Sequence, residues 1–205
     1  MIITLKNKRG VTLVELIVAV FIFSLIYLAV TAFQKNVWTF SMNINDTLLG
    51  QQEAKQSLKT MIKEIRIASA GGDGSYAISE TGTSSMTFYS DIDGNGSKEK
   101  VRYYLATTTL KKQVTKASGN PLTYPVANAI TTELAHSVIN SSTTPIFYYY
   151  ASTYAGTTSS LTSPFDVTAV RLVKVTLTIE KDPRNNPAPM TISSQVEMRN
   201  LKDNL

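Results

Sequence analysis

Three regimes of hydrophobic patterning follow one another along this chain. From Val11 to Phe33 nearly every position is apolar, and Glu15 is the single ionisable residue among them. About 20 apolar residues at ~1.5 Å rise span the ~30 Å hydrocarbon core of a bilayer, so this run predicts a membrane helix. From residue 34 the pattern turns amphipathic. Val37, Phe40, Ile44, Leu48, Ala54, Leu58, Met61, Ile62, Ile65 and Ala68 recur at spacings of three and four or their sums. The opposite face carries Lys35, Asp46, Gln52, Lys55, Lys59, Lys63 and Arg66. Together the two regimes predict one nearly continuous helix from Val11 to Ala70, about 90 Å long at ~1.5 Å per residue. Gly50 offers a point for a bend, and Gly71-Gly72-Asp73-Gly74 supplies the stop.

The third regime has period two, which places one strand face on a core and the other in solvent. Met86, Phe88 and Ser90 alternate with Thr87 and Tyr89; Val101, Tyr103 and Leu105 alternate with Arg102 and Tyr104. Val173, Val175, Leu177 and Ile179 form a third such set, and Met190, Ile192 and Val196 a fourth. Residues 146–150 read as another strand, 127–140 as strand or short helix, and 182–187 as the connection of a C-terminal hairpin. Ser, Thr, Gly and Pro mark 117–125 and 151–164 as loops. The expected fold is therefore α+β, with one long N-terminal helix, its first half transmembrane, packed on a C-terminal antiparallel β-sheet domain. The expected divisions are a basic segment at 1–10, a membrane half at 11–33, an amphipathic half at 34–70 and a β-rich globular domain at 71–205.

Charge bears on topology more than on ligands. The 205 residues carry a formal +5, of which Lys6, Lys8 and Arg9 supply three, leaving +2 beyond Gly10. That residue of charge is too small to call for nucleic acid as a partner. Basic residues flanking the first membrane segment favour the cytoplasmic side, which puts the C-terminal domain outside. The chain has no cysteine, so disulfides and thiolate metal sites are excluded.

The order of features at the N-terminus carries the functional signal. Basic residues end in Gly10, and the apolar run starts at once with a carboxylate, Glu15, set inside it. A carboxylate there costs roughly 2.5–3.5 kcal/mol on insertion scales, so it needs a partner. Cutting after Gly10 would create one, because the new amine of Val11 lies one helical turn from Glu15. An ordinary secretory signal has an apolar core of only about 7–15 residues followed by a small-residue cleavage site, and residues 31–35 offer no such site. A plain membrane anchor explains the length but not Gly10 and Glu15 in this order.

The segment "KNKRGVTLVEL" resembles the class III leader of type IV prepilins and of type II secretion pseudopilins. The resemblance covers the first ~35 residues. It implies that a prepilin peptidase cuts between Gly10 and Val11 and N-methylates Val11, with Glu15 at the fifth mature position. It also implies partners: other pilins or pseudopilins through the N-terminal helix, and an assembly platform in the inner or cytoplasmic membrane. The order of the strand motifs, with "FYSDIDGNGSKEKVRYYL" early and "EMRN" near the end, is similar to the J-type pseudopilin and the W-type minor pilin group. Many major pilins carry a helix-breaking proline where this chain has Ala32, a departure that suits a minor subunit.

Metal chemistry has one candidate. Asp91, Asp93, Asn95 and Glu99, with Gly96 at the sixth position, open like a calcium loop. The twelfth position, where an EF-hand needs a bidentate Glu, is Arg102, so the signature is incomplete. The alternative is a hairpin turn that uses Asp, Asn and Gly for their backbone conformations, and the sequence favours it. His136 is the only histidine, which excludes His-based triads and multi-histidine sites. Tyr148, Tyr149 and Tyr150 alternate on a strand, and core packing accounts for them better than a stacking platform does. With no P-loop, GxSxG or HExxH motif, the chain does not read as an enzyme, and it needs no cofactor unless calcium occupies the Asp91 loop. The expectation is a minor pilin or pseudopilin that initiates or caps a type IV pilus, type II secretion or competence-like filament. The alternative is a subunit at the tip that binds DNA, a surface or a secreted protein through loops 117–125 and 151–164.

Overall fold

The computed structural model describes residues 10–180 and 188–201, with the side chains of 43–47 outside the described set. The basic residues Lys6, Lys8 and Arg9, the expected hairpin connection at 182–187, and the side chains of Ile44 and Asp46 therefore lie outside the described residues. The chain divides into two compact units, residues 1–46 and 47–205. One helix, α1, Leu13–Arg66, supplies most of the first and opens the second.

In the first unit α1 is apolar from Leu13 to Met42, and no part of that span is buried. Three of its hydroxyls bond their own backbone. Ser24 Oγ donates to the Phe21 carbonyl at 2.7 Å, Thr31 Oγ1 to Tyr27 and Leu28 at 3.0 Å each, and Thr39 Oγ1 to Lys35 at 2.9 Å. A helix that satisfies its interior backbone groups within itself, and these three hydroxyls as well, is compatible with a hydrocarbon environment.

Among the described residues of the second unit, eight strands follow the helix. They are β1 Ile78–Thr81, β2 Ser85–Ser90, β3 Glu99–Ala106, β4 Thr109–Thr115, β5 Ala129–Ala135, β6 Phe147–Tyr150, β7 Leu172–Ile179 and β8 Met190–Glu197. They form two antiparallel sheets in sequence order, β1-β2-β3-β4-β5 and β6-β7-β8. One core cluster joins both sheets to the helix. Ala54, Leu58, Met61 and Ile65 of α1 bury with Met86, Phe88, Val101, Tyr103 and Leu110 of the larger sheet and with Val173, Val175 and Leu177 of the smaller.

Polar contacts fix the direction in which the helix crosses the larger sheet. Ser57 Oγ donates to the Leu134 carbonyl of β5 at 2.8 Å. About two turns later Glu64 receives bonds from Lys112 of β4 and Tyr103 of β3, and its carbonyl takes the Ser90 hydroxyl of β2. The helix thus passes over β5, β4, β3 and β2 in turn. It stops at Arg66, short of the expected Ala70 and the glycines. The cause is the sheet: the Ser69 amide donates to the Tyr89 carbonyl at 2.9 Å, so the chain turns toward β2 before Gly71 is reached.

The expected helix–sheet seam needs correction at its N-terminal end. Leu58, Ile62 and Ile65 do pack on the core, but Val37 and Phe40 are 49 % and 67 % exposed. They belong to the first unit, and the inward stripe of the second is Ala54, Ser57, Met61, Glu64 and Ala68 at spacings of three and four. Residues 127–140, left open as strand or helix, hold a 3-10 turn at Val126–Asn128 and then β5. The two anticipated loops carry no named strand.

With the apolar segment removed, residues 36–205 are expected to be soluble and to give a circular dichroism spectrum of mixed sheet and helix. A coil spectrum would contradict the fold. Met61→Ala should lower the unfolding free energy of that fragment by about 3 kcal/mol, since a fully buried long side chain is lost between helix and sheet. Denaturant titration measures it.

Candidate functional site

The start of α1 is built by Thr12 and Glu15. Gly10, Val11 and Thr12 precede the helix, and Gly10 and Val11 are exposed. The Thr12 hydroxyl accepts the Glu15 amide at 3.3 Å, while the Thr12 carbonyl accepts the Leu16 amide at 3.1 Å. Thr12 is therefore an N-cap, and spacing of the capping-box type places an acid, Glu15, at the third helical position. The sequence here reads Thr12-Leu13-Val14-Glu15, and the [ST]-x-x-[DE] pattern before an apolar run was the available signal for it. Glu15 lies in the first turn, where the positive end of the helix dipole favours a carboxylate. Around it Leu13, Val14, Leu16, Ile17 and Val18 are all exposed.

The Asp91 loop brings its carboxylates together. One oxygen each from Asp91, Asp93 and Glu99 lies within 4.8 Å of the others. Each already has partners in the chain. Asp91 accepts the amides of Gly94 at 2.8 Å and Gly96 at 2.9 Å, and Glu99 accepts that of Ile92 at 3.1 Å. The Asn95 side-chain oxygen, the fourth candidate ligand, accepts the Ser97 amide at 2.7 Å. Lys116 donates to Asp93 at 3.2 Å, and that bond first of all holds the Asp93 carboxyl below the ordinary carboxylate range. Glu99 is buried, and burial pushes its carboxyl upward, helped by the charges of Asp93 and Asp91. Gly94 and Gly96 take φ of +75° and +89°, conformations that a β-hairpin connection needs and that favour glycine. These bonds are those of the turn between β2 and β3. The same carboxylates could converge on calcium, and the turn is the reading we keep. On it, adding calcium leaves the melting temperature unchanged; a rise that depends on Asp91 and Asp93 would assign the ion to this loop.

Two polar clusters went unread in the sequence. Glu64 is 8 % exposed on the inward stripe of α1. Tyr103 Oη donates to it at 2.6 Å and Lys112 Nζ at 2.5 Å. Burial, with the Glu64 charge, raises the Tyr103 hydroxyl far above its usual range, so it remains a donor. The second cluster surrounds His136, whose side chain is 53 % exposed. Its Nδ1 lies 3.3 Å from Glu53 of α1 and its Nε2 3.2 Å from Glu133 of β5, which Lys111 of β4 also pairs at 2.9 Å. The Glu53 bond, followed by the Glu133 bond, raises the imidazole above its ordinary value.

The tyrosine strand behaves as packing. Tyr149 is fully buried, donates to the Gly82 carbonyl at 2.9 Å and accepts the Gly82 amide at 3.2 Å. Its ring lies 4.8 Å from that of Phe165.

Residues 5–31 match the prokaryotic N-terminal methylation motif. No curated protein matches the chain. The motif, together with the apolar helix and the antiparallel domain behind it, supports a type IV prepilin-like family and a membrane-anchored subunit of pilin or pseudopilin type.

Two measurements test the clusters. Glu64→Ala should cost about 3 kcal/mol, because it leaves the buried Tyr103 and the half-buried Lys112 without their shared acceptor; urea unfolding reads it. For His136 the folded value is raised, so its stabilising contribution is complete below the unfolded value. It is lost as pH rises through the folded one. His136→Asn should therefore lower the melting temperature near pH 5.5 and leave it close to wild type near pH 8.5, both approximate settings around the ~6.5 reference. The difference should be small, since the cluster is solvent-screened.

Proposed function

We infer that the protein is a minor pilin or minor pseudopilin that initiates or caps a helical filament. The observation that supports this most is the joining of a wholly exposed apolar segment, Leu13–Met42, to a β domain with a complete core of its own. An apolar surface of that length has no place in water, and a domain that needs nothing from it is free to ride on a fibre. In this reading a prepilin peptidase removes residues 1–10, and Val11 becomes a methylated N-terminus. The helix is held in the cytoplasmic or inner membrane with the β domain outside until it enters the filament through an assembly platform. The apolar halves of staggered helices then bury one another, and Glu15 pairs with a Val11 amine. The reaction belongs to the peptidase, and the subunit itself performs no catalysis. Likeness to the J-type and W-type groups rests on chain length and the strand motifs, and Ala32 in place of proline suits a minor subunit.

A second reading, binding by surface loops at a filament tip, is favoured by the anchoring of loop 116–128. Tyr124 Oη donates to the Lys98 carbonyl at 3.0 Å and accepts the Gly72 amide at 2.9 Å, which holds the loop against the outer face of the larger sheet.

N-terminal mass spectrometry of the mature protein should find methylated Val11 as the first residue; an intact Met1 or a start beyond Ala32 would overturn the reading. Glu15→Gln keeps shape and removes charge. It should leave cleavage and the stability of the β domain unchanged while lowering incorporation into filaments, measured against wild-type subunits in the same cells. Normal incorporation would mean that the charge pair is dispensable.

A further inference from the structure

The outer face of the larger sheet, turned away from α1, is unusually closed for a solvent face. Thr87 and Thr115 are buried there, although the sheet alternation assigns both to the side opposite Phe88 and Val101. The cover is loop 116–128, whose Tyr124 ring packs 5.0 Å from the ring of Tyr89. Between loop and sheet lies a groove of about 260 Å³, lined by Glu80 of β1, Thr87 of β2, Lys100 and Arg102 of β3, Gln113 and Thr115 of β4, with Tyr124 and Val126 from the loop.

Two cations share this groove without a matching acid. Lys100 and Arg102 are two residues apart on β3 and so project from one face. Their cross-strand neighbours are neutral: Arg102 stands between Thr87 and Gln113, and Lys100 between Tyr89 and Thr115. Among the described residues no carboxylate pairs with either. Asp73 is near enough to feel the Lys100 charge, and Glu80 of the groove is bonded by the Thr87 hydroxyl at 3.3 Å. The Arg102 guanidinium stacks 5.2 Å over the Tyr104 ring, which occupies a face of the plane and not its N–H edge. Its Nε is buried with no protein acceptor, an arrangement that is costly for a charged donor.

We propose that this groove is a binding site for an acidic sugar, a single uronate-type ring. Its carboxylate is taken by Arg102 and Lys100, and its hydroxyls by Glu80, Gln113 and Thr115. Arginine suits a carboxylate because its fork matches the two oxygens. The remaining lining mixes one carboxylate acceptor, one amide and hydroxyls, which matches a polyhydroxylated ligand better than an acidic side chain that has only its carboxylate to offer. Val126 and the Tyr124 ring give the wall an apolar part for the C–H face of a ring. The volume lies just below the ~300–1,000 Å³ typical of drug-sized ligands, in keeping with one ring. The site gives the tip-binding reading a ligand class, and it rests on that reading only for its place in a filament.

The test is titration of the full chain in detergent with glucuronate, followed by calorimetry or by ligand-observed NMR. Glucose at the same concentration serves as the neutral match and N-acetylglutamate amide as the acidic peptide match. Glucuronate should bind, and weaken as salt rises. Arg102→Met should reduce its affinity about tenfold, in line with loss of a charge-assisted pair. Arg102→Lys should fall between, keeping the charge and losing the fork. Lys174→Met, on the other sheet, should change nothing. Unaltered circular dichroism of the Arg102 variants keeps the comparison valid, and Lys100→Met gives a second route to the same loss. Glucuronate that fails to bind, glucose that binds as well, or N-acetylglutamate amide that binds as tightly would each overturn the proposal, as would an Arg102→Met chain with wild-type affinity. Leader processing, read by N-terminal mass, is independent of all these outcomes, so failure here and failure of the filament reading are separable.

Discussion

The Glu64 carboxylate, buried between helix and sheet, sets the register of everything in the β domain. A lone carboxylate there would be expelled by its desolvation cost, which for a real protein interior is several kcal/mol. It stays because Lys112 and Tyr103 reach it from two adjacent strands, at 2.5 and 2.6 Å. Hydrophobic contacts alone would let α1 slide or rotate over a flat sheet, since burial is proportional to area and carries no direction. A point at which one helical residue must meet two particular strand residues removes that freedom. The Ser57 bond to β5 and the Ser90 bond to the Glu64 carbonyl then fix the crossing at two further places.

The smaller sheet is held to this frame by backbone and by one phenol. The amides of Ile146 and Phe147 both donate to the Thr83 carbonyl, and Tyr149 closes on both backbone groups of Gly82. The short β1–β2 connection is thereby gripped from the second sheet. Asn140 does similar work on the far side, where its side chain donates to the Pro145 and Thr176 carbonyls and accepts the Thr178 amide at 2.8 Å. Buried polar groups with all their bonds made confer a unique arrangement that apolar packing does not.

Strands with clean alternation were legible in the sequence. β3 and β7 show buried and half-exposed positions in turn, as Val101, Tyr103, Val173 and Val175 required. β4 was not read, and the reason is Lys112. Leu110, Lys112 and Val114 are its inward positions, so the residue that neutralises Glu64 breaks the hydrophobic period at the point where the period would have revealed the strand. Glu64 hid for the same reason on the helix, as a charge on a largely apolar stripe. Both halves of an ion pair look like surface until they are seen together. β1, with one buried residue in four, offered too little pattern to read. β2 departed in the other direction, its outer Thr87 and Tyr89 being buried because a loop distant in sequence lies over them. At the N-terminus the signal was local and dense, which is why Gly10, Val11 and Glu15 could be singled out from residue order alone.

Glu64 and Glu15 face the same physical problem and meet it differently. Both are carboxylates on apolar helix stretches. Glu64 has two side-chain donors within its own domain, whereas Glu15, among the described residues, has the capped first turn of its own helix and no side-chain donor. The helix dipole offsets only part of the cost, typically about 0.3–1 kcal/mol, and the Thr12 hydroxyl takes the Glu15 backbone amide, not its carboxylate. A carboxylate left in this condition is stable at a membrane–water boundary and costly at any greater depth. Moving the apolar segment from bilayer to fibre therefore changes the free energy of Glu15 unless a cation accompanies it. Under the filament reading the amine at Val11 is that cation. The same physical rule that locks the β domain internally then selects the neighbour with which the helix can pack.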